Sequence, residues 1–267
     1  MEKVNNILSN YQNKLKCMDY VCKIFHKTFS LIQYNFKIGI RYLWITVGEI
    51  IARNNKYEEY EPATSEMLRS ILEKGDFFID IGANIGHFTK LASEIVGENG
   101  KVYSFEPTPD TFTVLQKETL NKKNITLFNY ALGASEESKT FFTDGISGGN
   151  SLIPAKSLKT KHKLNTITLD SLFQKPYPTL KLVKIDVEGY EKEVIKGGSN
   201  LIKNQKPKII FEVQMDILYR KNCKYNEVFD ELNSLGYNSF TELETGRKIN
   251  RFDEMSHFQR NILAEVK

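Results

Sequence analysis

The stretch that most constrains the fold is FFIDIGANIGHFT, at residues 77–89. Its first five residues, Phe77–Ile81, are apolar except for Asp80, a pattern that predicts a buried β-strand. Gly82 and Gly86 follow at once, and the apolar residues after them recur with the spacing of a helix. Such a unit places backbone N–H groups and a helix N-terminus at the carboxyl end of a strand, where open α/β sheets bind ligands.

Strands and helices alternate along the rest of the chain, which predicts a mostly parallel sheet covered by helices on both faces. The last two predicted strands are expected to close this sheet as an antiparallel pair. The predicted fold class is therefore α/β and Rossmann-like. The predicted strands lie at residues 77–81, 101–105, 125–132, 137–143, 164–169, 180–186, 209–213, 237–243 and 261–266.

The bulk composition argues against several classes of protein. The 267 residues carry a net charge of +4 with basic residues spread along the chain, so charge makes no case for a nucleic-acid partner. The three cysteines fit neither a disulfide framework nor a metal site, which suits a reducing compartment. The sequence shows no signal-peptide core and no apolar run of the ~20 residues that a membrane-spanning helix needs. We therefore expect a cytoplasmic protein without an integral membrane segment.

Residues 1–56 are predicted as an N-terminal helical extension, and residues 57–267 as the main domain. Apolar and aromatic residues recur with helical spacing between residues 24 and 40, with lysines among them. An amphipathic helix of this kind packs on its own domain or on a second copy of the chain, as a homodimer. A basic segment resting on an anionic membrane surface is the less favoured alternative, because the basic residues do not form a continuous face.

Acidic residues stand at the predicted carboxyl ends of several strands. Glu106 follows Gly86 at the spacing of about 20 residues expected of a carboxylate that binds a ribose diol. Asp80, beside the turn, would attract a cation and repel a phosphate. Asn84 and His87 replace the second and third glycines of a dinucleotide-binding turn, which disfavours an NAD-dependent oxidoreductase. A ligand with a ribose, an amino-acid end and a positive charge fits these features, and S-adenosylmethionine has all three.

Several short motifs resemble those of one family. They are YEP (residues 60–62), DIGANIG (80–86), FEPTPDTF (105–112), NYALG (129–133), TLDSL (168–172), VKIDVEGYE (183–191) and FEVQ (211–214). Together they make residues 57–267 similar to the FkbM-type class I S-adenosylmethionine-dependent methyltransferases. The resemblance implies a seven-stranded sheet and transfer of a methyl group to an oxygen, often on a sugar or natural product. The chain has Gln214 where the family often has a histidine.

The turn after the first strand and the next two strand ends form the cofactor half of the predicted site. Asp80 and Asn84 would hold the methionine end of the cofactor, and Glu106 the ribose. Tyr130 and Ala131 would border the adenine, although a place in the core is an equally open alternative for Tyr130. The full set of predicted cofactor-binding residues is Asp80, Gly82, Ala83, Asn84, Gly86, Glu106, Tyr130 and Ala131.

The fourth parallel strand and the loop after it carry the acceptor half of the predicted site. Methyl transfer to a hydroxyl needs the oxygen in line with the donor and a group that takes its proton. Asp186 would be this base or would hold the hydroxyl, with Lys184 tuning its charge. A structural ion pair of Lys184 with Asp186 or Asp80 is the open alternative. Glu188 would touch the acceptor, whereas Glu191 is expected to be a solvated helix charge. The predicted catalytic residues are Asp186, Lys184, Glu188 and Glu212.

Two alternatives concern a metal ion and turnover. Asp186, Glu188 and Glu212 offer hard oxygen ligands that suit magnesium, but a site without a metal is favoured. The chain is expected to be an O-methyltransferase whose acceptor is a glycan or a small-molecule hydroxyl compound. A cofactor-binding scaffold or partner subunit without turnover is the alternative, and Gln214 is the hint of it. The glycine-rich segment 144–165 and the N-terminal helices are expected to shape the acceptor site.

Overall fold

The computed structural model describes residues 60–143, 160–174, 179–214, 226–251 and 259–267. The predicted helical extension at residues 1–56, with the homodimer contact expected of it, lies outside these ranges. So do residues 144–159, the larger part of the glycine-rich segment. Within the described ranges, none of the helices combines the length and the apolar character needed to cross a membrane.

The described chain alternates between helices and strands, as predicted. The helices are α1 (Pro62–Ile71), α2 (His87–Val96), α3 (Pro109–Glu118), α4 (Leu169–Leu172), α5 (Glu191–Gly197), α6 (Ser199–Gln205) and α7 (Asn226–Ser234). The strands are β1 (Phe77–Ile81), β2 (Lys101–Phe105), β3 (Ile125–Phe128), β4 (Ala131–Leu132), β5 (Glu137–Thr143), β6 (Thr160–Ile167), β7 (Leu180–Ile185), β8 (Lys208–Gln214), β9 (Ser239–Glu242), β10 (Lys248–Ile249) and β11 (Gln259–Glu265).

A large sheet forms the centre of the described structure, with the strand order β10-β9-β11-β8-β7-β1-β2-β3. Strands β8, β7, β1, β2 and β3 run parallel, and β11 runs antiparallel to both β8 and β9. This confirms the predicted Rossmann-like sheet with an antiparallel final strand. The two-residue β10 adds a strand to the seven expected, because the chain after β9 turns back and pairs Lys248 with Thr241.

The strand predicted at residues 125–132 is in fact two strands in different sheets. It leaves the large sheet after Phe128, and β4 then joins β6 and β5 in a separate three-stranded sheet. The side-chain amide of Asn129 explains the break, because it donates to the backbone carbonyls of Glu106 at 2.8 Å and Pro107 at 3.2 Å. The side chain of Asn129 therefore fastens this segment to the end of β2.

The strand predicted at residues 164–169 is longer at its start and shorter at its end than expected. Strand β6 begins at Thr160 and ends at Ile167. It ends there because Thr168 caps helix α4, with its Oγ1 accepting a hydrogen bond from the Ser171 N–H at 3.0 Å.

The two faces of the large sheet bury separate hydrophobic clusters. Phe78 and Leu182 pack with residues of α1 and α2 on one face. Ile79 packs with residues of α5, α6 and α7 on the other. Burying one such side chain contributes roughly 1.5–3 kcal/mol. Because side chains alternate along a strand, Asp80 and Lys184 lie on the same face as Phe78 and Leu182.

Candidate active site

The turn after β1 and the loop after β7 touch through their backbones. Gly82 has a φ of 81°, in the left-handed region that favours glycine. A Cβ at this position would lie 1.8 Å from the carbonyl oxygen of Asp186, so no side chain has room there. The Asp186 N–H in turn donates to the carbonyl of Ile81 at 2.9 Å. The predicted cofactor turn and the predicted catalytic loop are therefore immediate neighbours.

Local contacts fix the remaining residues of the turn. The Ala83 N–H donates to the carbonyl of Phe105 at 2.9 Å, which ties the turn to the end of β2. Gly86, with a φ of 90°, directly precedes helix α2. A Cβ on Gly86 would lie 2.6 Å from the Leu115 Cδ1, so a side chain there would have to displace the Leu115 side chain of α3.

Glu106, the predicted ribose-binding residue, lies just after β2 against the same turn. Its Oε2 accepts a hydrogen bond from the Asn84 N–H at 3.1 Å, and its Oε1 accepts one from the Thr108 N–H at 2.8 Å. Burial raises the pKa of Glu106 to about 7, although the two N–H groups favour its ionised form. A carboxylate oxygen can accept more than one hydrogen bond, so this carboxylate could also hold a vicinal diol.

Asp80 is almost fully buried, with 1% of its surface exposed. Its Oδ2 accepts a hydrogen bond from the Thr89 hydroxyl of helix α2 at 2.6 Å, and Thr89 shares another with Ser104 at 2.9 Å. Its Oδ1 is buried without a hydrogen-bond partner among the described residues. Burial raises the pKa of Asp80, and the nearby Lys184 ammonium opposes that rise. The structure ties Asp80 to helix α2, and its contact with a cofactor stays a prediction.

The two residues predicted to border the adenine differ in exposure. Ala131 is buried, whereas Tyr130 is 44% exposed, which excludes the alternative of a core position for Tyr130. Both follow Asn129, whose amide holds this segment to the backbone of Glu106. Their contact with an adenine stays a prediction.

Lys184 and Asp186 form a partly buried ion pair, with 2.8 Å between Nζ and Oδ2. Lys184 is 2% exposed, and its ammonium also lies 4.7 Å from the centre of the Phe88 ring. Burial would lower the pKa of Lys184, but the charges of Asp186, Glu61 and Asp80 outweigh it and raise that pKa above its usual range. Lys184 therefore stays protonated, which argues against a role as the base. The sequence left either Asp186 or Asp80 as the ion-pair partner of Lys184, and Lys184 donates its hydrogen bond to Asp186.

The side chains of Glu61 and Glu212 lie close to that of Asp186. Their carboxylate oxygens lie within 4.8 Å of one another, an arrangement that could hold a metal ion. The sequence predicted Glu188 as the third possible metal ligand beside Asp186 and Glu212. Within the described part of the chain, the third carboxylate of this group is Glu61 instead. Burial would raise the pKa of Asp186, but the Lys184 ammonium and a hydrogen bond with Glu212 lower it overall. A carboxylate with a lowered pKa holds a hydroxyl better than it takes the proton.

Glu61 is the site residue that the sequence reasoning missed. It lies just before helix α1, far along the chain from its neighbours in space. Its Oε2 accepts hydrogen bonds from the Thr64 hydroxyl at 3.1 Å and from the Asn261 amide at 3.0 Å. The YEP motif at residues 60–62 was the one signal in the sequence that could have pointed to it.

Glu191 is buried, with 1% of its surface exposed, so the prediction of a solvated helix charge is wrong. Its Oε1 accepts hydrogen bonds from the N–H groups of Gly189 at 2.9 Å and Val187 at 3.3 Å. Glu188 and Gly189 have φ angles of 54° and 90°, so the loop between them is sharply turned. The buried carboxylate supplies the acceptor that these loop N–H groups need. Burial raises the pKa of Glu191 to about 7.

The strand order, the antiparallel β11 and the polar groups at the carboxyl ends of β1, β2 and β7 define a class I methyltransferase fold. The structure of a putative rRNA-methylase from Clostridium thermocellum has a similar fold, with a TM-score of 0.50 and 14% identity over 79% of this chain and 98% of that chain. The model of the methyltransferase FkbM domain matches residues 80–239. The chain belongs to this family, as its motifs predicted.

Two curated relatives are similar to the chain. Hexuronic acid methyltransferase AglP from Haloferax volcanii is 30% identical over 145 residues, which is 52% of this chain and 58% of that protein. Methyltransferase 1 from Beauveria bassiana is 29% identical over 144 residues, which is 45% of this chain and 57% of that protein. The similarity therefore spans little more than half the length of either relative.

Proposed function

We propose that this protein is an S-adenosylmethionine-dependent O-methyltransferase that moves a methyl group to a hydroxyl of a glycan or a small-molecule acceptor. The observation that carries the proposal is the backbone contact between Gly82 and Asp186. This contact brings two groups close to one turn. They are Glu106, a buried carboxylate suited to a ribose, and the Lys184–Asp186 ion pair, which is suited to a hydroxyl. Membership of the FkbM family supports the methyltransferase activity. The similarity to AglP, a hexuronic acid methyltransferase, supports a sugar acceptor.

The residues of the site would have different roles in the reaction. S-adenosylmethionine, when bound, supplies a methyl group on a sulfonium. Glu106 would hold the ribose, and Asp80 and Asn84 the methionine end. Asp186 would hold the acceptor hydroxyl in line with the methyl group, which is a large part of the catalysis of such a transfer. On transfer of the methyl group the hydroxyl would lose its proton to Glu212 or to solvent, since the lowered pKa of Asp186 makes it a poor proton acceptor.

Magnesium remains the less favoured alternative to a metal-free site. The oxygens of Glu61, Asp186 and Glu212 could hold such an ion. However, the Lys184 ammonium already bonds Asp186 at 2.8 Å and would repel a divalent cation placed there. The ammonium thus supplies the positive charge that a metal would otherwise provide.

Calorimetry with S-adenosylmethionine and with its demethylated product tests the cofactor half. We expect both to bind, and we expect Glu106→Ala and Asp80→Ala to abolish binding, because each removes a buried carboxylate at the turn. Glu98→Gln is the control, since Glu98 is exposed. If neither compound binds to the wild-type protein, the proposal is wrong.

Transfer of a labelled methyl group to a pool of glycans tests turnover. Label in a glycan supports the enzyme. Cofactor binding without transfer to any acceptor would favour the scaffold or partner subunit instead. The residue that prompted that alternative, Gln214, ends β8, and its side chain lies outside the described part of the structure.

A further inference from the structure

We propose that Lys139 and Tyr190 are positioning residues, through which the three-stranded sheet β4-β6-β5 holds the loop of residues 186–190 in the shape that methyl transfer needs. This role rests on the proposed methyltransferase function, because the loop carries Asp186 and Glu188. Neither Lys139 nor Tyr190 was among the predicted catalytic or cofactor-binding residues.

The backbone of this loop adopts an uncommon conformation that needs support. Glu188 has a φ of 54° and Gly189 a φ of 90°, both in the left-handed region. For a residue other than glycine this conformation costs free energy, and it persists only where the surrounding structure fixes it. The Glu191 carboxylate gives one support, because it accepts hydrogen bonds from the N–H groups of Val187 and Gly189. A second support comes from the side chain of Tyr190, the last residue of the loop.

Lys139 of β5 reaches from the three-stranded sheet to the end of the loop. Its ammonium donates a hydrogen bond to the phenol oxygen of Tyr190, and its Nζ lies 5.0 Å from the centre of the Tyr190 ring. Glu137, two residues earlier on the same face of β5, pairs with this ammonium at 3.1 Å between Oε1 and Nζ. The Lys139 side chain is therefore held between a carboxylate of its own strand and the phenol of the loop.

Tyr190 also packs against the backbone of the three-stranded sheet. A Cβ on Gly133, the residue after β4, would lie 3.3 Å from the Cε1 of Tyr190, so the ring lies directly beside this backbone. A Cβ on Gly197 of helix α5 would lie 1.9 Å from the carbonyl oxygen of Gly133. The loop and the helix that follows it therefore meet the three-stranded sheet at the same residue.

Strand β6 joins the two parts of the sheet that touch Tyr190. The hydroxyl of Thr166, a buried residue of β6, accepts a hydrogen bond from the N–H of Glu137, the first residue of β5, at 3.2 Å. The Gly133 N–H donates to the carbonyl of Ile167, the last residue of β6, at 3.0 Å. The contacts that β5 and Gly133 make with Tyr190 are thus fixed relative to each other.

The two ends of the loop are held in different ways. The Asp186 end is fixed by its backbone contact with Gly82, and the other end by the side chain of Tyr190. Loosening the Tyr190 end should shift Glu188 by a fraction of an ångström and slow methyl transfer about tenfold, since a 1 Å misplacement costs about 100-fold. Cofactor affinity should stay the same in variants that keep the Tyr190 ring beside Gly133.

Two single variants and their combination test the pair. Tyr190→Phe keeps the ring beside Gly133 and removes the hydroxyl, and Lys139→Met keeps an unbranched side chain and removes the ammonium. Each removes the same hydrogen bond. Each alone, and the double variant no further, should therefore slow label transfer to a fixed pool of glycans about tenfold at saturating S-adenosylmethionine. Lys163→Met is the control, because the exposed Lys163 of β6 pairs with Thr140, on the opposite face of the sheet from Lys139.

Hydrogen–deuterium exchange reports on the loop without any acceptor. The N–H groups of Val187 and Gly189 bind Glu191, and loss of the hydrogen bond at Tyr190 should speed their exchange about three- to tenfold. Exchange within β7 and the urea midpoint should change little, which separates a loosened loop from a less stable protein. Calorimetry with the demethylated cofactor should give the wild-type affinity in every variant.

Several results would overturn the inference and leave the proposed function standing. They are unchanged loop exchange in both single variants, faster exchange with an unchanged rate of transfer, and an equal loss of rate in Lys163→Met. A double variant whose loss is the product of the two single losses would show that Lys139 and Tyr190 act separately, which also overturns it. A wild-type protein that binds no cofactor or transfers no label refutes the proposed function, and this inference with it.

Discussion

Replacing Gly82 by alanine tests whether the two halves of the site depend on each other. A Cβ there would lie 1.8 Å from the Asp186 carbonyl oxygen. The two atoms must move apart by about 1.2 Å to reach 3.0 Å, the shortest contact that a Cβ tolerates. The left-handed backbone costs alanine roughly 1–2 kcal/mol, and the forced overlap roughly 1–3 kcal/mol more. We therefore expect the free energy of unfolding to fall by roughly 2–5 kcal/mol.

The same substitution should damage catalysis as well as stability. A displacement of about 1 Å in the group that holds the acceptor lowers the rate of transfer about 100-fold. Urea unfolding gives the change in stability, calorimetry with the demethylated cofactor gives the change in binding, and label transfer gives kcat. All three should fall in Gly82→Ala.

Gly75→Ala is the matched control for this prediction. Gly75 has a φ of 92°, similar to that of Gly82, but a Cβ there meets no atom within 4 Å. The control should lose only the roughly 1–2 kcal/mol of backbone strain and none of the activity. If Gly82→Ala is no less stable than Gly75→Ala and keeps the wild-type kcat, the argument from the backbone contact is refuted.

Three other predictions follow from the charged groups of the site. Glu106→Gln should remove the pH dependence of affinity for the demethylated cofactor. In the wild type that affinity should rise between about pH 6 and pH 8, because the pKa of Glu106 is about 7 and the ionised form accepts the ribose hydroxyls. Lys184→Met should lower the free energy of unfolding in urea by about 1–3 kcal/mol, because the partly buried Asp186 loses its cation. Glu191→Ala should lower kcat about tenfold with cofactor affinity unchanged, because the loop that carries Glu188 loses the acceptor of two N–H bonds.

Each of these predictions has a control in the chain. Glu98→Gln should keep the pH dependence, and a flat profile in the wild type would contradict the role given to Glu106. Lys181→Met, on the same strand as Lys184 but partly exposed, should change stability little. Equal losses of stability in the two lysine variants would count against the stabilising role of the Lys184–Asp186 ion pair. Glu193→Ala, in the same first turn as Glu191, should leave kcat unchanged.

Treatment with EDTA tests the metal-free site. We expect kcat to stay the same after divalent ions are removed, because Lys184 already compensates Asp186. Loss of activity that magnesium restores would contradict the metal-free site and favour the carboxylates of Glu61, Asp186 and Glu212 as the metal ligands.

The parts of the fold that were predicted from the sequence are those encoded by local patterns. The strand β1, its glycine turn and helix α2 follow from a five-residue apolar run and helical spacing within one short stretch. The parallel sheet follows from the alternation of such units. The boundary errors fall where a side chain contact overrides the pattern, as when Asn129 bonds the backbone of Glu106 and ends β3 early.

The sequence by itself determined the chemistry available at the ends of the strands, because Asp80 lies next to the last residue of its strand and Glu106 and Asp186 follow theirs directly. Only the tertiary structure decided which of these groups act on one another. It buried Glu191, joined Lys184 to Asp186, and brought Glu61 beside them from the start of helix α1. The physical reason is that burial and Coulomb interaction depend on distance in space, and a carboxylate far along the chain leaves no periodic signal of where it will lie.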